Sequence, residues 1–127
     1  MKNFRDLEVW NLAHQLTLQA YQCTRSFPPD ERFGLTSQIR RAAASVPANI
    51  AEGCGRRGNA EFHRFLQMAM GSASELEYHL LLSRDLQYMD QSVYEPLNHS
   101  TTRVKRMLAS LINKVDAERQ RANSASA

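Results

Sequence analysis

The sequence is poor in the residues that break helices. Five Gly and four Pro are scattered over 127 residues, too few for a fold of short strands joined by tight turns. Its two cysteines, Cys23 and Cys54, lack the paired spacing of a disulfide framework or a zinc site. Both read as small apolar side chains in a reducing compartment. No apolar run approaches the roughly 20 residues a membrane-spanning helix needs. The opening Met1-Lys2-Asn3-Phe4-Arg5-Asp6 has no apolar stretch of the kind a secretory signal carries. The expectation is a cytoplasmic chain that does not enter a membrane.

Sequence patterns for catalysis are also missing. There is no Gly-rich phosphate loop, and no Ser–His–Asp or Cys–His arrangement can be read from the spacing. Bundles that hold two iron ions use Glu-x-x-His pairs, and none occurs here. Glu75 and His79, like Glu95 and His99, are four apart instead. A hairpin turning near Met89 would set the two histidines at similar height. His99, however, lies about 160° round the helix from Leu97 and points away from the apolar stripe. We therefore expect no enzyme, no metal and no cofactor.

What the sequence does contain is helical periodicity. Apolar residues make up 43% of the chain, enough for one packed domain. A first helix is expected from an Asp6 cap to about Ser26, ended by Pro28-Pro29. It carries two apolar stripes at about 100° per residue. Leu7, Trp10, His14, Leu18 and Tyr21 form one; Val9, Leu12, Leu16, Ala20, Cys23 and Phe27 form the other. Two stripes suggest burial on both sides, by the core and by another subunit, with Leu12 and Leu16 as candidate seam residues.

A second helix, capped by Thr36 or Ser37, places Leu35, Ile39, Ala43, Val46 and Ile50 on one face and should bend at Pro47. Gly53 and Gly55 end it. A third starts at an Asn59 cap and buries Phe62, Leu66, Ala69, Ala73, Leu76 and Leu80. Its small-residue run Gly71-Ser72-Ala73-Ser74 marks close approach of a neighbouring helix. The fourth begins near Asp90 or Ser92, with Leu97, Val104, Leu108, Leu111 and Val115 facing inward and Pro96 in its first turn or so. Short connections imply an all-α, up-down-up-down antiparallel four-helix bundle. The domain spans residues 1–121, and residues 122–127 form a flexible tail.

The run Gly34-Leu35-Thr36-Ser37-Gln38-Ile39-Arg40-Arg41 continues through Ser45-Val46-Pro47-Ala48-Asn49-Ile50-Ala51-Glu52-Gly53 to Arg56-Arg57. Together with the opening Phe4-Arg5-Asp6-Leu7-Glu8-Val9-Trp10, it resembles the bacterial four-helix-bundle proteins encoded by intervening sequences of 23S ribosomal RNA genes. The resemblance extends over roughly residues 4–118. It implies a bundle assembled as a homo-oligomeric ring, a pentamer, with no known enzymatic activity and with nucleic acid as the suspected ligand.

The charge is unevenly spread. Thirteen of the sixteen basic residues are Arg, whose planar fork of donors suits carboxylate and phosphate. Residues 38–64 carry net +3 and residues 103–121 net +4, whereas residues 72–95 carry net −4. Arg40, Arg41, Arg56, Arg57, Lys105 and Arg106 are the candidate contacts to an RNA or DNA backbone, without base reading. The alternative is a purely structural or protein-binding ring whose Arg residues serve subunit interfaces or a protein partner. Gln38, Ser45, Asn49 and Glu52 form a polar stripe on the second helix. Local hydrogen bonding around Pro47 is its expected role, with Glu52 free to meet an Arg across a seam.

Overall fold

Helices account for most of residues 2–126, the part described by this computed structural model, and no strand occurs among them. They are α1 (Glu8–Cys23), α2 (Leu35–Gly55), α3 (Gly58–Asp85) and α4 (Gln91–Ser126). Three 3-10 turns, Phe4–Asp6, Thr24–Ser26 and Pro29–Glu31, flank α1 and lead into α2. Helix α2 packs on α1 and α3, and α4 packs on α3 and α1. Each helix therefore has two main neighbours, and the four enclose one core.

That core follows the apolar periodicity. Leu35, Ile39, Ala43, Val46 and Ile50 of α2 are buried, as are Phe62, Leu66, Ala69, Ala73, Leu76 and Leu80 of α3. In α4, Leu97, Val104, Leu108 and Val115 are buried; Leu111 is half-buried, and Ile112 fills the core beside it. Removing each such aliphatic side chain from water contributes roughly 1.5–3 kcal/mol.

The two stripes of α1 have different fates. Val9, Leu16 and Ala20 are core, joined by Ala13. Leu16 thus lies inside the chain's own core, which removes it as a seam residue; Leu12 is half-buried. On the other stripe, Phe4 folds back and meets Trp10 at 4.9 Å between ring centres, and Trp10 stacks on His14 at 5.0 Å. The N-terminal turn thereby covers the lower part of that stripe. Its upper part, Leu18 and Tyr21, stays exposed.

Helix ends differ from the sequence expectation in where each helix begins and in which side chain meets its first amides. Asp6 does not cap the first helix: α1 starts behind Leu7, which gives it no side-chain cap, and Asn3 caps the preceding 3-10 turn by accepting from the Arg5 amide at 3.1 Å. Helix α2 starts at Leu35 behind Gly34, so Thr36 and Ser37 are already helical. Its first-turn amide is satisfied by Glu31, whose Oε1 accepts from Leu35 N at 3.0 Å. Asn59 is likewise inside α3 and reaches Glu118 of α4 instead, at 3.2 Å. Helix α3 ends in a tight reversal: Gln87 takes a left-handed conformation with φ 64°. The amides of Tyr88 and Gln87 donate back to the carbonyls of Ser83 and Arg84. Pro96 sits in the second turn of α4, and α4 continues through Ser126, with residues 121–125 exposed. Of the six residues expected to form a tail, Ala127 lies outside the described residues.

Pro47 has no N–H to offer the Ala43 carbonyl one turn back. Thr17 of α1 supplies the missing donor: its hydroxyl lies 3.0 Å from the Ala43 carbonyl and 2.9 Å from that of Ala13. A defect in one helix thus becomes a cross-link to another.

Candidate functional site

The six basic candidates do not form one patch. Arg40 and Arg41 precede Arg56 and Arg57 by about four turns of helix, on the order of 20 Å. Lys105 and Arg106 stand on a different helix.

Adjacent arginines on α2 have opposite circumstances. Arg40 is half-buried and turned onto α1, where its Nε donates to Thr24 Oγ1 at 2.8 Å and its terminal nitrogen to the Tyr21 carbonyl at 3.3 Å. Its guanidinium also lies over the Tyr21 ring, 4.9 Å from the centre. These contacts use two of its five N–H donors and tie the side chain to the neighbouring segment. Arg41, about 100° further round, is exposed and has no ion pair among the described residues.

At the other end of α2, Arg56 lies 3.6 Å from Glu52 and over the Phe65 ring at 5.1 Å. Arg64 covers the same ring at 4.5 Å and binds Glu61 at 2.9 Å. That hydrogen bond is the leading reason the Glu61 carboxyl is held below its ordinary range. Arg57, between the helices, is exposed and has no ion pair among the described residues. Gly53 allows this corner to close. A Cβ there would meet Phe65 Cβ at 2.9 Å and Phe62 Cδ1 at 3.0 Å.

On α4, Lys105 is paired with Glu77 of α3 at 3.1 Å, while Arg106 is exposed. Arg106 shares an outer helix face with His99 and Arg103, and Arg103 lies 3.7 Å from Glu8. His63 with Asp116 at 3.0 Å adds another polar clamp between α3 and α4.

The polar stripe on α2 is spent locally. Ser45 and Ser72 share a hydrogen bond of 2.8 Å, fixing α2 against α3. Asn49 donates to the Ser45 carbonyl at 2.8 Å and to its hydroxyl at 2.9 Å. Glu52 meets Arg56 of its own helix. The small-residue run likewise divides: Ala73 is fully buried and Ser72 bonds α2, but nothing covers Gly71.

Among the described residues, no group of three or more His, Cys, Asp or Glu side chains is placed to hold a metal ion. No helix is long and apolar enough to cross a membrane. His79 meets Glu75 at 3.4 Å, and His99 is exposed.

A further concavity lies elsewhere. An open groove of about 710 Å³ runs along the first half of α2, beside the end of α1 and the connector before α2. Tyr21, Arg32, Phe33, Arg40 and Arg41 border it, and no carboxylate lines it. Phe33 is 87% exposed, with the Arg32 guanidinium 5.3 Å from its ring centre. Sequence reading passed over Arg32 and Phe33, because a connector has no periodicity to betray which way its side chains face. Their one local signal is an Arg-Phe pair, of low specificity.

Architecture and surface together define an all-helical protein with dispersed arginines and an open basic groove. A family model described as 23S rRNA-intervening sequence protein matches residues 5–110. The chain belongs to that family. A similar solved structure is that of a protein of unknown function from the S23 ribosomal protein family of Bacteroides thetaiotaomicron VPI-5482. It is 27% identical, with a TM-score of 0.75, over 82% of this chain and 97% of the other. No curated protein matches the chain.

Proposed function

We propose that the protein is a non-enzymatic oligomeric scaffold that contacts the backbone of RNA or DNA through arginines. One observation carries this reading: Arg41, Arg57 and Arg106 are exposed and have no carboxylate partner among the described residues. Exposed guanidinium groups without internal partners are available to phosphate. Arg40 and Lys105, by contrast, serve mainly to hold helices together, so the working set is smaller than the sequence alone implies.

The architecture underlying this proposal is an up-down-up-down antiparallel bundle with α2 bent at Pro47. Contacts between Lys2 and Cys54 and between Thr17 and Ala43 favour opposite directions for α1 and α2. Assembly into a ring, with five subunits as the working number, draws on the family resemblance. Exposed Leu18, Met68 and Tyr78 also support assembly, since they give a second copy apolar surface to cover. Two free cysteines fit a cytoplasmic setting.

Fluorescence anisotropy with a structured RNA and a DNA duplex across a salt series tests the reading. Submicromolar binding that weakens steeply with salt is expected, with Arg41→Glu plus Arg57→Glu abolishing it. No binding at low salt would sink it. The second reading, a structural or protein-binding ring, rests on those same exposed apolar side chains. It predicts that the Arg changes alter sedimentation and leave no nucleic-acid binding to lose.

A further inference from the structure

The groove beside Phe33 has features that backbone contact alone does not require. A duplex phosphate needs charge, and Arg57 and Arg106 offer that without any aromatic neighbour among the described residues. Here an almost fully exposed phenyl ring stands next to three arginines. A ring this exposed beside cationic side chains leaves its apolar face open to a partner. Tyr21, at 43% exposed, also lines the groove, and Arg40 packs on it from α2. Small side chains, Ala44, Ser45 and Ala48, line the same groove.

We infer that this groove binds single-stranded nucleic acid, with an unpaired base stacked on Phe33 and its phosphate on Arg41. The inference rests on the nucleic-acid reading above and narrows it to strand type. Charge complementarity argues for a polyanion, because Arg32, Arg40 and Arg41 face the groove and no acid does. Ring exposure argues for a single strand. In a duplex the base faces are stacked on one another, and only an unpaired base presents its face to a protein ring. Stacking tolerates any base, since each has a π-face. Phosphate contact contributes a salt-dependent part of the affinity, and stacking a largely salt-independent part.

This separation gives the test. Anisotropy is measured with labelled oligouridylate, oligodeoxythymidylate and a duplex of equal length, for the wild-type chain, Phe33→Ala, Phe33→Trp and Arg41→Ala. Phe33→Ala is expected to weaken single-strand binding about tenfold without changing the salt slope. Phe33→Trp retains binding. Arg41→Ala makes the slope shallower by about 0.7, and the duplex is insensitive to Phe33. Because Phe33 is so exposed, the fold tolerates both changes. Tighter binding of either single strand than of the duplex supports the inference, and the RNA and DNA arms show which sugar the groove prefers. Wild-type binding that Phe33→Ala leaves intact overturns it while sparing the broader proposal. A change in sedimentation on Phe33→Ala also overturns it, since the groove is then a seam with a second copy. If the wild type binds none of the three probes, both readings fall.

Discussion

The α1–α2 seam and the α3–α4 seam are built from different chemistry. Between α2 and the α1 segment the polar contacts reach backbone carbonyls: Thr17 serves the one that Pro47 leaves open, and Arg40 serves that of Tyr21 while also donating to the Thr24 hydroxyl. Between α3 and α4 the polar contacts pair side chains, Lys105 with Glu77 and His63 with Asp116. An unmet buried carbonyl costs a desolvation penalty of roughly 1–3 kcal/mol. A partly exposed ion pair is worth about 0–1 kcal/mol and fades with salt. The two seams should therefore respond differently to substitution and to salt.

The largest expected effect tests whether the inner stripe of α1 is core. Leu16→Glu places a carboxylate where the side chain is 2% exposed. Burying an unpaired charge costs several kcal/mol, comparable with the roughly 5–15 kcal/mol that holds a domain together. Circular dichroism should show loss of cooperative folding. Leu18→Glu, two residues on and 51% exposed, should change stability by less than about 0.5 kcal/mol. A folded Leu16→Glu monomer would return that residue to a subunit interface.

Next comes the proline cross-link. Thr17→Val removes the hydroxyl near Ala43 and should cost about 1–2 kcal/mol in urea unfolding. In a Pro47→Ala background residue 47 regains an N–H, and the Thr17→Val penalty should shrink by about 1 kcal/mol. Equal penalties in both backgrounds would mean that the hydroxyl serves only the Ala13 carbonyl, also within reach at 2.9 Å.

The adjacent arginines provide a finer contrast. Arg40→Ala should destabilise by about 1–2 kcal/mol through lost hydrogen bonds and ring packing. Arg40→Lys should recover little of it, because an ammonium cannot reproduce the fork. Arg41→Ala should leave the melting curve within about 0.5 kcal/mol of wild type. Matching losses at both positions would show that the seam does not distinguish them. The smallest effect belongs to α3–α4. Lys105→Met should cost under about 1 kcal/mol at low salt, and the cost should vanish near 1 M salt, where the screening length is about 3 Å.

Most of the core was legible because burial on a helix follows a fixed angular step. Every core position expected on α2 and α3 is buried. Both ends of α2 show where legibility stops. Thr36 is as good a local cap as any, yet Glu31 takes the role, held in place by Tyr88, whose hydroxyl donates to Glu31 Oε2 at 2.9 Å from 57 residues along the chain. Hydrogen bonds from Leu35 N first and Tyr88 second hold that carboxyl below its usual range. The capping carboxylate lies only four residues upstream, but the Tyr88 contact that orients it comes from a distant part of the chain and leaves no mark in a local window. Gly53 reads as a stop signal in sequence; its tertiary role is to admit Phe62 and Phe65.

The arginine set divides along the same line. Sequence determines that guanidinium groups cluster before and after α2 and along α4, since that is composition and spacing. Whether a given arginine is spent or available depends on what another helix places within about 3 Å of its nitrogens. Thr24 and the Tyr21 carbonyl capture Arg40, Glu77 captures Lys105, and nothing among the described residues captures Arg41, Arg57 or Arg106. Helical periodicity, a local property of the backbone, fixed the elements and their inner faces. Partner choice for polar groups is set by distances that exist only after the helices pack, and so it was decided by the tertiary structure.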